Sequence, residues 1–157
     1  MNKSVIVLML ASVVLSACGH SNGRAGHVKE SAFPEVTKPY RSEQAIQNGD
    51  VVNLHGKYSN MEKWHRFLKN VEQNKEDKVR ITQYTIEGDP IFYELVFDGK
   101  VIHYTYDNSM DAYGSDSGRP STSCTGMGSK KAEQGQDFYA LTGCDSDTGD
   151  TFWFAKE

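Results

Sequence analysis

The residues with chemical potential in this chain are carboxylates, histidines and cysteines, in several separate groups. Asp145-Ser146-Asp147-Thr148-Gly149-Asp150 places Asp at alternating positions before a Gly, as at the opening of a calcium-binding loop. The pattern then departs from such a loop, because Gly149 and Asp150 are in the wrong order and Lys156 stands where a bidentate Glu belongs. A solvated turn is the alternative for Asp145, Asp147 and Asp150, since Asp and Gly are turn residues. Asp107, Asp111 and Asp116 form a second acidic group of the same ambiguous kind. Glu87-Gly88-Asp89-Pro90 sets two carboxylates beside a tight turn, where they could act as an acid–base pair or simply shape the turn. His55 precedes Gly56, a residue that lets a ligand approach the backbone closely. His65 falls at a helix edge and His103 in a strand, while His20 and His27 lie near the N-terminus. No two histidines have the His-x-x-x-His spacing of a helical metal site. Ser-His-Asp catalysis lacks a Gly-x-Ser-x-Gly elbow within residues 40–157 to support it. Tyr84, Tyr93, Tyr104 and Tyr106 fall on adjacent strands and could present an aromatic binding surface, or be half-buried in a sheet.

The elements that must hold these groups follow from periodicity. Ser42 to Gln47 reads as a short helix ended by Asn48-Gly49, and Asp50 to His55 as a strand. Ser59 with Glu62 reads as a capping box opening the main helix, which runs to about Asn74. Met61, Trp64, Leu68 and Val71, with Phe67 beside them, give that helix one apolar face. Three strands follow at Val79–Ile86, Ile91–Phe97 and Val101–Tyr106, the last two joined by Asp98-Gly99, a type I′ hairpin signal. Residues 107–136 are rich in Ser, Gly, Asp and Lys and read as a long loop. Asp137–Thr142 and Thr151–Ala155 read as a final hairpin. The expected fold is α+β: a small antiparallel meander covered by one amphipathic helix, with a C-terminal hairpin stapled by a disulfide.

The N-terminus carries Lys3 and then about ten mostly apolar residues, Val5 to Val14, the order of a signal peptide. A membrane span needs about 20 apolar residues, so the leader is too short to be one. Leu15-Ser16-Ala17-Cys18 resembles the lipobox of bacterial lipoproteins. The resemblance implies cleavage before Cys18, a diacylglycerol thioether on its sulfur, and further acylation such as palmitate. Two or more acyl chains give stable anchoring where one is marginal. Gly19 follows, so the Asp that marks inner-membrane retention is absent. The expected division is a signal peptide at 1–17, lipidated Cys18 with a Gly- and Pro-punctuated tether over 18–39, and one domain over 40–157. The expected location is the outer face of a cell membrane.

With Cys18 lipidated, Cys124 and Cys144 remain as an even pair in an oxidising compartment, which points to a disulfide. A metal pair or two free thiols fit less well, since no His or third Cys stands at zinc spacing. The chain has 17 Lys+Arg against 21 Asp+Glu, a net charge of −4, and losing Lys3 makes it more acidic. That balance argues against nucleic acid and against electrostatic attachment to anionic lipid.

Asn48-Gly49-Asp50-Val51-Val52, His55-Gly56, Tyr84 through Ile91, Phe97-Asp98-Gly99-Lys100 and Tyr104 through Ser109 together resemble a family of small lipoproteins from spore-forming bacteria, known only as a domain of unknown function. The resemblance spans about 48–114 and implies location and architecture, with no catalytic residues. No cofactor motif is present. The leading expectation is a non-enzymatic envelope module that binds a protein, peptide or cell-wall ligand, with His55, Glu87, Asp89, Tyr104 and Tyr106 as candidate contacts. The alternatives are a small hydrolase using the acidic loops and a Ca²⁺-stabilised structural module.

Overall fold

In the computed structural model, residues 33–133 and 135–156 are described. Cys18, the leader, and residues 19–32 of the expected tether lie outside them. Ser31–Glu157 forms one compact unit. Among the described residues no helix is long and apolar enough to cross a membrane.

The chain runs α1 (Ser42–Asn48), β1 (Val51–Leu54), β2 (Lys57–Ser59), α2 (Met61–Glu72), β3 (Asp77–Tyr84), β4 (Pro90–Phe97), β5 (Ile102–Asp107), β6 (Ser121–Lys131), β7 (Asp137–Cys144), a 3-10 turn (Asp147–Thr151) and β8 (Phe154–Ala155). The strands make one sheet in the order β2-β1-β3-β4-β5-β6-β7-β8. The fold is α+β as expected, but the sheet has eight strands where a small meander was expected. It is also not wholly antiparallel, because β1 runs parallel to β3 with Val51 opposite Ile81. The crossover between these parallel strands contains α2, the connection such a pair requires. The sheet curls until Tyr58 on β2 meets Phe154 on β8, ring centroids 5.6 Å apart, which makes a half-barrel.

Inside the curl, α2 buries the face its periodicity predicts: Trp64 and Phe67 fully, Met61, Leu68 and Val71 partly. They pack on Val79, Ile81, Tyr93, Leu95, Phe97, Ile102 and Tyr104, the inward residues of β3, β4 and β5. The expected capping box does not form. Ser59 ends β2, and Asn60 precedes the helix in the left-handed region (φ 57°). Its amide donates to the Ile46 and Asp50 carbonyls at 3.0 and 2.7 Å, tying the start of α2 to α1 and β1.

The outer face of the sheet is covered too. Ala45 on α1 and Tyr40 pack on Val52, Tyr84 and Phe92 in a second core. Val36 joins them, and the Pro34 carbonyl accepts from the Arg80 guanidinium at 2.9 Å. Residues 33–39, which the sequence places in the tether, therefore lie against the folded unit.

Two further corrections concern the second half. The expected pairing of Asp137–Thr142 with Thr151–Ala155 is present in short form, as the two-residue β8 against Phe138 and Tyr139 of β7, but residues 107–136 contain the eleven-residue strand β6, which makes a longer hairpin with β7. Cys124 and Cys144 stand opposite each other across that hairpin and form the expected disulfide. Gly149 backs onto it: a Cβ there would lie 2.3 Å from the Cys144 sulfur. The β4–β5 connection is a four-residue loop, since Phe97 pairs with Ile102. Only Gly99 has positive φ there, so it is not the type I′ turn that Asp98-Gly99 signalled.

One ion pair ties α2 to β3. Arg66 donates two hydrogen bonds to Asp77, each 3.0 Å, and Asn70 donates a third at 2.8 Å. Burial works to raise the Asp77 pKa, but these bonds and the Lys78 N–H outweigh it and hold the carboxyl below its ordinary value. An unfolded Asp titrates near pH 4. The stabilisation is therefore full above that pH and is lost as pH falls through the depressed folded value. Asp77→Asn is expected to lower the melting temperature at neutral pH, with the difference from wild type shrinking as pH falls through the depressed folded value; melting curves from neutral into acid pH check it.

Candidate functional site

The residues selected from sequence separate into three places. His55 and Gly56 are the two central residues of the β1–β2 hairpin, with φ 51° and 85°, the type I′ geometry that needs positive φ at both. The exposed His55 ring sets Nε2 2.9 Å from the Thr85 carbonyl oxygen, so its main contact is structural. Glu87 is fully on the surface of the Thr85–Asp89 turn. That turn closes as expected: Gly88 N–H donates to Thr85 O, Thr85 N–H to Asp89 O, and Gly88 has φ 91°. Asp89 reaches away from the turn, and its carboxylate accepts the Ala112 N–H at 2.9 Å. This bond pins the 107–118 loop against the turn. Asp107 and Asp111 bend that loop locally by accepting from Ser109 N–H and from the Tyr113 and Gly114 N–H groups.

Tyr104 and Tyr106 are not part of an outer aromatic surface. Both face the inside of the half-barrel; the Tyr104 hydroxyl sits 2.9 Å from Thr151 Oγ1, and the Tyr106 ring lies tilted against Tyr93, centroids 5.8 Å apart. Burial pushes both phenols above their ordinary pKa. Asp145, Asp147 and Asp150 are exposed around the 3-10 turn, and Asp150 pairs with Lys130 at 2.9 Å. Among the described residues no group of three His, Cys, Asp or Glu side chains is placed to hold a metal ion.

Asp89 does lie at a groove. A cleft of about 460 Å³ is bounded by residues 38–43, Leu54, Tyr84, 88–90 and Met110. Lys38 and Arg41 bring positive charge to it, Glu43 and Asp89 negative charge, and Leu54, Tyr84, Pro90 and Met110 apolar surface. Beside it Ile86 is 90% and Tyr113 80% exposed, on the two segments that the Asp89–Ala112 bond joins.

The groove wall is braced by a buried polar cluster. The Asp50 carboxylate accepts from Tyr40 Oη (2.8 Å), Arg80 Nε (2.9 Å) and Thr82 Oγ1 (2.8 Å). The Arg80 guanidinium also donates to Tyr40 Oη at 3.0 Å and lies 3.6 Å from Glu94. Tyr84 donates to the Tyr40 carbonyl at 3.1 Å, fixing one groove residue to another. Burial drives the Tyr40 pKa up to about 12, so its phenol stays protonated and donates to Asp50. Sequence reasoning missed this cluster. Its signal is Arg80 within the apolar run Val79–Ile81, which the chain resolves by covering both faces of β3.

A second constellation missed from sequence is a relay on the outer side of β5. His103 Nε2 lies 3.2 Å from Asp98 Oδ2, and His103 Nδ1 lies 3.2 Å from Ser123 Oγ. Ser123 and His103 are direct cross-strand neighbours, and Asp98 is fixed by Lys100 and Val101 N–H groups at 2.9 Å. Those bonds, Val101 first, hold the Asp98 pKa below the ordinary value. A carboxylate orienting an imidazole that faces a hydroxyl is an arrangement able to move a proton off serine.

A protein family described as a domain of unknown function, DUF4362, matches residues 48–139. That span runs from the end of α1 through Tyr139 on β7 and includes the relay and half of the groove lining, with residues 38–43 outside it. No curated protein and no solved structure matches the chain.

Proposed function

Given that this chain belongs to the DUF4362 family, we propose that it is a lipid-anchored module of the bacterial cell envelope, of the kind carried by spore-forming bacteria, that binds an extended ligand of mixed charge. The anchor reading rests on the Leu15–Cys18 lipobox behind a short apolar run. The ligand reading rests on one observation: the groove rim carries Lys38 and Arg41 together with Glu43 and Asp89 around an apolar floor. Such a rim complements a zwitterionic chain, and a short peptide, free or from the cell wall, has that chemistry. Its protein partner, if the peptide is part of one, works at the membrane face where Cys18 holds the domain.

Two measurements test these parts separately. A palmitate label is expected on the wild-type chain in cells and not on Cys18→Ser; a label on both would sink the anchor. For the groove, titration with cell-wall peptides is expected to move the amide resonances of Leu54, Tyr84 and Asp89. Arg41→Ala with Asp89→Asn should weaken that binding by about tenfold or more. Resonances unmoved at millimolar peptide would remove the reading.

The Ser123–His103–Asp98 relay favours a second reading, a small serine hydrolase. Ser123 Oγ would attack an ester carbonyl while His103 takes its proton and returns it to the leaving alcohol; water then releases the acyl group by the reverse path. A fluorophosphonate is expected to label Ser123 in the wild type and to label His103→Gln far more slowly. Equal labelling of the two would rule out activation of the serine.

A further inference from the structure

The far end of β6 has an open edge. β5 pairs with β6 only from Ser121 to Cys124, whereas β7 pairs with it from Cys124 to Lys131. Among the described residues, no strand adjoins the other side of β6 beyond Cys124. The ladder is interrupted at this point without a change of register. Pairing passes from Cys124–Cys144 to Gly126–Thr142, and Gly143 between them has φ 60°. Burial changes parity with it: Cys124 is in the core beside Ile102, and then Met127, Leu141 and Tyr139 are.

Which backbone groups point outward follows from the hydrogen bonds. In an antiparallel ladder a residue offers both N–H and C=O to one neighbour, and the next residue turns to the other side. The Asp137 carbonyl accepts from Lys156 N–H, so Asp137 faces β8. Phe138 and Ala140 therefore face β6, opposite Lys130 and Gly128. The Ala132 N–H, which donates to the Gln136 carbonyl, continues the same parity. Met127, Ser129 and Lys131 are left with their backbone groups turned to the open side.

We propose that this edge is a docking strand for an extended acidic peptide segment of a partner protein. It is a separate surface from the groove and does not rest on it. A row of unpaired strand groups binds another strand through the main chain, with side chains setting preference. Gly128 and Ser129 leave the edge sterically open, and the exposed Lys131 stands at its end, next to Lys130 in its exposed ion pair with Asp150. A second copy of this chain fits poorly. Five residues span only about 17 Å, too short a ladder to supply the roughly 1,000 Å² that a stable interface buries.

The test uses the compact unit Ser31–Glu157 and a capped synthetic peptide alternating Glu and Val. In the free protein, hydrogen exchange is expected to be fast at the Met127, Ser129 and Lys131 amides and slow at Gly128 and Lys130. The peptide should slow the three outward amides by about tenfold or more, and the same peptide with Lys for Glu should do so far less. Ser129→Pro removes an outward N–H without touching the β7 ladder, so it should bind about tenfold more weakly while melting as wild type does. If that variant does not fold, Lys130→Glu with Lys131→Glu takes its place and should reverse the preference between the two peptides. Outward amides already protected in the free protein, exchange unchanged by millimolar peptide, self-association through the edge, or a Ser129→Pro variant that binds as tightly as wild type would each overturn the proposal.

Discussion

Asp50→Ala is expected to lower the unfolding free energy by about 3–5 kcal/mol. The size follows from what the carboxylate leaves behind. Asp50 and Arg80 are each only 2% exposed at the side chain, so neither charge can turn to water. With Asp50 gone, Arg80 keeps only the Pro34 carbonyl, the Tyr40 hydroxyl and a 3.6 Å approach to Glu94. The Tyr40 and Thr82 hydroxyls lose their shared acceptor at the same time. The aromatic rings of Phe33, Tyr40 and Phe92, with centroids 5.5–5.7 Å from the guanidinium carbon, give partial compensation at most. The pair's own net worth is a different quantity. Asp50→Leu with Arg80→Met removes both charges, and this double variant is expected to recover most of the loss, because burying the pair costs nearly what it returns. Urea denaturation followed by Trp fluorescence measures both. A loss below about 1 kcal/mol for Asp50→Ala would mean that Arg80 is carried by its other partners alone.

That cluster also marks where the sequence stopped being legible. The inner core was readable because its period is clean: Trp64 and Phe67 on α2 and Tyr93, Leu95 and Phe97 on β4 face each other as the alternation predicts. The outer face was not. Val79-Arg80-Ile81-Thr82 looks like a strand with one wet side, yet all four residues are buried. The cover comes from residues 33–40 and Ala45 on α1, and Pro34 and Pro39 leave the first of these stretches no period to read. β6 was missed for a related reason. Thr, Ser and Gly between Ser121 and Ser129 carry little apolar signal, and the strand is held by its ladder to β7 and by the Cys124–Cys144 bond. The disulfide itself was legible from cysteine arithmetic. Of the candidate contacts, Asp89 reaches the groove, His55 serves the Thr85 carbonyl, and Tyr104 and Tyr106 turn inward. The relay needed three residues from a turn and two paired strands, and pairing of β5 with β6 is a long-range fact that local spacing does not encode.

Trp64→Ala is expected to cost about 3–5 kcal/mol, whereas Trp64→Phe costs much less. Trp64 is fully buried where the half-barrel closes. Its ring meets Phe67, Tyr139, Phe152 and Phe154 with centroids 5.1–6.2 Å apart, so it joins α2 to β7, to β8 and to the segment after the 3-10 turn. Alanine opens a cavity among four rings that belong to separate elements, and those rings cannot all move inward together. Phenylalanine keeps most of the ring contacts and changes one polar term. The indole Nε1 is buried without a hydrogen-bond partner. Leaving such a donor unpaired costs about 1–3 kcal/mol, and phenylalanine removes that cost while giving up part of the indole's volume. The two effects oppose each other, so Trp64→Phe should fall within about 1–2 kcal/mol of wild type. Urea denaturation followed by far-UV circular dichroism reads all three proteins, since Trp64 is then no longer available as the fluorescent reporter. Equal losses for alanine and phenylalanine would show that indole shape, rather than ring burial, closes the half-barrel.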